Sequence, residues 1–288
     1  MKLAGIIGGL GLILAGCGGY VYTTVGGTVT GLGTGNVNSL YLQNDAGYKV
    51  LMTADGPYSF NVASNASYKI SVLQQPNMVN CTVANGSGTM SGSGSVTNVN
   101  VTCVPNVQVS GTVVGLPDNA GTLVLNNNVT DQASATNLNA QASVTANGAF
   151  QFANYVVSGY HYNVTVGAQP PGQYCMVQNG SGVANNANPA GAANVAISCV
   201  AGIAVKATVN GLNSGGILVL NNTTTDKVDQ LTVSSIGIYN FGWSLLSGMR
   251  YSVSVATQPS GQTCTVQNGS GVVDLANPAA ANVTVNCV

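Results

Sequence analysis

Glutamate is absent from this chain of 288 residues, so its seven acidic side chains are all aspartate. Only six Lys plus Arg stand against them, charged residues make up 5% of the sequence, and the net charge is -1. A surface this neutral has no electrostatic footprint for nucleic acid and no polybasic patch for anionic lipid. The aspartates are scattered. They form neither a calcium loop nor the carboxylate pair that glycoside hydrolysis needs. Asp226 and Asp229 lie close together, but in a Thr- and Asn-rich loop that they solvate. Histidine occurs once, as His161, so a Ser-His-Asp site would have to use it. His161 directly precedes Tyr162, whose counterparts Tyr68 and Tyr251 are placed inward, so it faces out in a column shared with Ser67 and Arg250. The Gly-rich words follow strand patterns and do not open helices, so they cradle no phosphate. No enzyme activity, metal or cofactor is expected.

The long apolar run is confined to the start. Met1 and Lys2 precede Leu3 to Ala15, a stretch of Leu, Ile, Ala and Gly alone, too short to remain as a spanning helix. This is the pattern of a secretory signal. It ends in Leu14-Ala15-Gly16-Cys17, which resembles the lipobox of bacterial lipoproteins. The resemblance implies cleavage before Cys17, with residues 1–16 as signal peptide, a diacylglycerol on the Cys17 thiol, and 17–23 as a tether. Gly18 is not the Asp that holds such proteins at the inner membrane of enteric bacteria, so the outer membrane is the expected location.

Seven cysteines stand at 17, 81, 103, 175, 199, 264 and 287. Lipidation of Cys17 accounts for the odd one. The other six fall into pairs: Cys81 with Cys103, Cys175 with Cys199, Cys264 with Cys287. Their persistence as bridges implies an oxidising compartment. Each cysteine is in phase with Val or Ile on its own strand, as Cys81 is with Val83 and Cys199 with Ile197, so both partners are expected in the core.

The same word occurs three times. It reads Gln75-Pro76 followed by Cys81-Thr82-Val83-Ala84-Asn85-Gly86-Ser87-Gly88. It returns as Gln169-Pro170 with Cys175 to Gly182, and as Gln258-Pro259 with Cys264 to Gly271. Upstream, Gly27-Thr28-Val29 matches Gly111-Thr112-Val113 and Ala207-Thr208-Val209. Leu40-Tyr41-Leu42 matches Leu123-Val124-Leu125 and Leu218-Val219-Leu220. Asp55-Gly56 and Asn147-Gly148 between alternating runs predict hairpin turns with both residues at positive φ. In the third copy Ile236 precedes Gly237, which leaves that turn type open. Asn65, Gly159 and Gly248, each three residues before a Tyr, form a column suited to the left-handed conformation. Period-two alternation throughout predicts an all-β chain of three tandem sandwiches with about seven strands each, over 24–104, 107–200 and 203–288.

The order Gly-Thr-Val, Leu-rich strand, Asn147-Gly148-Ala149-Phe150-Gln151-Phe152, then Gly159 to Tyr162-Asn163-Val164-Thr165-Val166 resembles the carboxypeptidase regulatory-like and collagen-adhesin B-type domains. It covers the first half or more of each copy. The resemblance implies an immunoglobulin-like or transthyretin-like sandwich and a stalk role. The Lys–Asn crosslink of Gram-positive relatives is not carried over, because it needs an acid beside the Lys and this chain has no Glu. The Cys-x-Val-x-Asn-Gly-Ser-Gly segment departs from that pattern and is similar to tandem repeats in Gram-negative lipoproteins. Its Asn-Gly-Ser is expected as a turn.

Trp243, the sole tryptophan, stands two residues after Phe241, where the other copies have Val62 and Asn154. An exposed indole stacks on sugar rings; a core or edge aromatic is the plainer assignment. The expected role is therefore a structural or adhesive stalk, or an interaction module, held to the membrane by lipid and meeting another envelope protein. The alternative is a glycan-binding lipoprotein whose third repeat reads a polysaccharide.

Overall fold

The computed structural model describes residues 22–34, 39–130, 139–225 and 227–288; Cys17, the apolar run and Asp226 lie outside them. The chain forms two compact units, Met1–Val104 and Pro105–Val288. Among the described residues there is no α-helix, and no helix long and apolar enough to cross a membrane.

The first unit contains β1 (Tyr22–Thr34), β2 (Leu40–Asn44), β3 (Lys49–Met52), β4 (Ala54–Ala63), β5 (Ser67–Gln74), β6 (Val79–Val83), β7 (Ser87–Thr89) and β8 (Val101–Pro105). They build two four-stranded sheets, ordered β4-β1-β8-β6 and β3-β2-β5-β7. β1 runs antiparallel to β4, β2 to β3 and β5, and β5 to β7, while β1 and β8 are parallel, with Val29 opposite Val101. Alternate residues point inward, as the period of a strand dictates. Val25, Leu40, Leu42, Phe60, Tyr68, Ile70, Val99 and Val101 fill the space between the sheets.

The second unit repeats this arrangement twice. Its first half holds β9 (Val107–Val114), β10 (Leu123–Val129), β11 (Ala140–Val144), β12 (Gly148–Val156), β13 (His161–Ala168), β14 (Gln173–Gln178), β15 (Ser181–Val183) and β16 (Val195–Ala201). Its second half holds β17 (Ile203–Asn210), β18 (Leu218–Thr223), β19 (Val228–Val233), β20 (Gly237–Leu245), β21 (Arg250–Thr257), β22 (Cys264–Gln267), β23 (Ser270–Val272) and β24 (Asn282–Cys287). The sheet orders β12-β9-β16-β14, β11-β10-β13-β15, β20-β17-β24-β22 and β19-β18-β21-β23 reproduce those of the first copy. Each half has its own core, one around Phe152 and Ile197, the other around Phe241 and Val285. Single 3-10 turns at Pro189–Ala192 and Pro278–Ala281 precede the last strand of each half.

The tandem-sandwich expectation holds, with eight strands per copy in place of seven. One element is corrected. Asp55-Gly56 and Asn147-Gly148 stand at the start of β4 and β12 and do not close hairpins, because β3 and β4, like β11 and β12, belong to different sheets. The chain turns a corner there. Only the glycine has positive φ, at 154°, 131° and, for Gly237, 153°. The third copy therefore makes the same corner without an Asp or Asn.

The two halves of the second unit meet closely. The Gly202 N–H donates to the Gly172 carbonyl at 2.9 Å. A Cβ on Gly202 would lie 3.0 Å from Ser244 Cβ and 3.1 Å from Tyr174 N, so glycine is what lets the strands approach.

Candidate functional site

The repeated words sit at the edge of the sandwich, and their Gln, Cys, Asn and closing Gly each have a mechanical task. Bridges join Cys81–Cys103, Cys175–Cys199 and Cys264–Cys287. In the second and third copies the bridged residues are direct partners across antiparallel strands. Their Cα atoms are 4.0 and 3.9 Å apart, which marks a non-hydrogen-bonded pair. At such a pair the N–H and C=O of Cys175 or Cys264 turn away from the neighbouring strand, toward the open edge of the sheet. A glutamine meets them there. Gln75 Nε2 donates to the Cys81 carbonyl at 2.7 Å, and the Cys81 N–H donates to Gln75 Oε1 at 2.8 Å. Gln169 with Cys175 and Gln258 with Cys264 repeat both bonds, at 3.0 and 2.8 Å. The side-chain amide thus acts as a one-residue strand that caps the edge. This explains the fixed spacing from Gln to Cys.

The Asn-Gly-Ser-Gly turn is equally constrained. Asn85, Asn179 and Asn268 hold φ of 55°, 54° and 52°, in the left-handed region that asparagine tolerates. A Cβ on Gly88, Gly182 or Gly271 would lie 2.7 Å from the hydroxyl of Tyr68, Tyr162 or Tyr251. Each of these glycines is the floor on which a buried tyrosine ring rests. The word is a turn, as expected.

A third device steadies the chain at the end of the first strand of each copy. Gly31, Gly115 and Gly211 have φ of 79°, 77° and 73°, and a Cβ on them would come within 2.2, 2.1 and 2.3 Å of the carbonyl of Cys103, Cys199 or Cys287. In the first copy, Asp55 accepts from the N–H groups of Gly31 (3.0 Å), Leu32 (2.7 Å) and Gly33 (3.3 Å). The Gly31 N–H chiefly, against some desolvation and with help from Leu32 and Gly33, holds this carboxyl below its ordinary value. In the second copy, Asn147 Oδ1 accepts from Leu116 N at 2.8 Å while Nδ2 donates to the Leu116 carbonyl at 2.9 Å. The third copy, with Ile236 at this place, recruits Gln262 from another loop. Gln262 Nε2 donates to the Gly211 carbonyl and its Oε1 accepts from Asn213 N, both at 2.8 Å. No local signal marks that exchange, because the two partners are about 50 positions apart.

Trp243 is half-buried on β20 and packs against the core of its sandwich. The Lys227 ammonium lies 3.9 Å above the ring centroid, and the Trp243 N–H donates to Asp229 Oδ2 at 2.7 Å. Asp229 lies on β19, in the other sheet, so this cluster closes the flank of the sandwich and Asp229 does more than solvate a loop. The position works likewise in the second copy, where Asn154 Nδ2 donates to the Asn139 carbonyl at 3.2 Å. One face of the indole is thereby covered. His161 is exposed, as are Lys49, Lys69, Lys206 and Lys227. Among the described residues no three His, Cys, Asp or Glu side chains gather to hold a metal.

In the first unit the same flank is open. A groove of about 420 Å³ runs between the edges of β3 and β4, lined by Tyr22, Tyr48, Lys49, Val50, Ser59, Phe60 and Asn61. Tyr22 and Tyr48 are 67% and 68% exposed, unusual for aromatics in a chain whose repeated tyrosines serve the core. Sequence reasoning missed this feature, because Tyr22 falls before the expected start of the repeat and Tyr48 in a hairpin loop.

No protein-family model matches the chain, and no curated protein matches it. Among solved structures it is similar to two B repeat units of the collagen-binding protein of Staphylococcus aureus, at 13% identity over 92% of this chain and 74% of that one, with a TM-score of 0.23. It is similar to the pilus adhesin SpaC of Lactobacillus rhamnosus GG at 8% identity over 92% of this chain, spanning 42% of that protein, with a TM-score of 0.24. The major pilin subunit BcpA of Bacillus cereus gives 10% identity over 92% and 97% of the two chains, with a TM-score of 0.21.

Proposed function

We propose that this chain is a non-enzymatic envelope lipoprotein, anchored through Cys17 to the outer membrane, that serves as a structural or adhesive module. The observation that carries the reading is how the repeated residues are used. Glutamine, asparagine, glycine and cysteine recur in three copies, and in each copy they clasp an edge, form a turn or bridge two strands. What recurs is scaffold, and the clasped edge strand resists the edge-to-edge pairing that exposed strands invite. The Leu14-Ala15-Gly16-Cys17 sequence supplies the attachment. Substituting Cys17→Ser should abolish acyl labelling and release the chain from membranes. Membrane retention with no acyl label would sink the reading.

The glycan alternative draws less support, since Lys227 occupies the face of Trp243 that a sugar ring would need. Retention on immobilised surface polysaccharide that is lost in Trp243→Ala would reverse that order.

A further inference from the structure

In the second unit, the N-terminal end of the third copy packs on the copy before it. In the third copy the residue at that end, Gly202, is seated on Gly172, Gln173 and Tyr174 of the preceding copy. Counting back five residues from Gly27, Gly111 and Ala207 gives Tyr22, Asn106 and Gly202 as equivalent positions. In the third copy that position meets a preceding sandwich. In the first it carries an exposed tyrosine, and what precedes it is Cys17, five residues away.

From Tyr22, Tyr48 and Lys49 on this groove we infer that the first unit docks through it on the head-group layer of the bilayer that holds the Cys17 lipid. This deepens the anchor reading and rests on it. Five residues reach at most about 18 Å, so Tyr22 cannot leave the neighbourhood of the lipid. Tyrosine suits the boundary, with an apolar ring for the upper acyl region and a hydroxyl for water and ester oxygens. The groove offers two such rings, at 67% and 68% exposure, together with the exposed ammonium of Lys49 for a phosphate. The matching flank of the third copy, far along the chain from any lipid, is instead filled by Trp243 and Lys227.

The test uses the full lipidated chain in vesicles of phosphatidylethanolamine and phosphatidylglycerol, with lipids brominated near the top of the acyl chains. Wild type, whose single indole is Trp243, gives the baseline from which each variant is read. In Tyr48→Trp, and independently in Tyr22→Trp, part of the emission should be quenched and shifted to the blue. If both variants float with the vesicles and neither is quenched, the docking inference falls while the anchor stands. If the chain does not float and carries no acyl group, both fall. A blue shift produced by soluble polysaccharide without vesicles would assign the groove to a glycan and overturn the inference.

Discussion

The carboxamide of Gln169 is hydrogen-bonded at both ends to the backbone of Cys175, donating at 3.0 Å and accepting at 2.8 Å, and both bonds are buried. A disulfide at a non-hydrogen-bonded pair leaves the backbone of its edge-strand cysteine pointing outward, and this glutamine satisfies it. Gln169→Met keeps the length and removes both bonds. Each buried backbone group left unpaired costs about 1–3 kcal/mol, so the variant, which leaves two, should lose about 2–6 kcal/mol in urea unfolding with the disulfide intact. The freed edge should also raise aggregation during refolding. A loss under about 0.5 kcal/mol, the size of an ordinary surface change, would show that water replaces the clasp without penalty.

Two glycines of the second copy separate backbone strain from steric collision. Gly159 has φ of 94°, and a Cβ placed on it would meet nothing within 4 Å. Gly159→Ala therefore meets only the left-handed penalty, about 1–2 kcal/mol. Gly115, at φ 77°, would drive its Cβ to 2.1 Å from the Cys199 carbonyl oxygen. Gly115→Ala should be clearly the worse of the two by thermal melting, or fail to fold. Equal losses would mean that the bridged strand yields.

These glycines mark how far the sequence was legible. Period-two alternation was enough to place most strands and to turn Tyr162, Cys175 and Cys264 inward, because each follows from one strand's own parity, and the threefold repetition of the cysteine spacing gave their partners. The parallel pairing of β1 with β8 was not legible, since its partners lie about 70 residues apart. Asp55-Gly56 misled for a physical reason. A short acidic side chain before glycine serves a tight hairpin turn, but it serves equally well reaching across to the N–H groups of Gly31 to Gly33, and only the sheet assignment decides. Trp243 stands out in the sequence as unusual, yet its neighbours Lys227 and Asp229 come from outside its own sheet and carry no sequence mark.

The three hydrogen bonds that Asp55 accepts should make the stability of the first unit pH-dependent. Its carboxyl is held below 3.8, chiefly by the Gly31 N–H. A depressed folded-state value adds stability above the unfolded-state value and loses it as pH falls through the folded one. Amide-exchange protection of Gly31, Leu32 and Gly33 should therefore drop on acidification below about 3.8, relative to neutral pH. Asp55→Asn converts this cap to the form that Asn147 takes in the second copy, and it should flatten that acid response while preserving the fold. Identical acid profiles for the two proteins would show that the three hydrogen bonds add nothing beyond the loop's own geometry.

Trp243 has the contacts of a wall, and a wall and a reader of sugars fail differently. The indole packs against the core, accepts the Lys227 ammonium over one face and is clasped through its backbone by Asp229. Removing a fully buried large aromatic costs about 3–5 kcal/mol, so Trp243→Ala at this half-buried site should cost roughly half of that. Lys227→Gln should cost no more than about 1 kcal/mol, the worth of an exposed cation–π contact. Trp243→Phe should recover most of the packing. If the tryptophan is a wall, stability follows side-chain size across this series and polysaccharide retention does not change at any member. If Trp243→Ala instead leaves the urea midpoint where it was and abolishes retention, the ring faces a ligand, and the flank is closed by Asp229 and its neighbours without it.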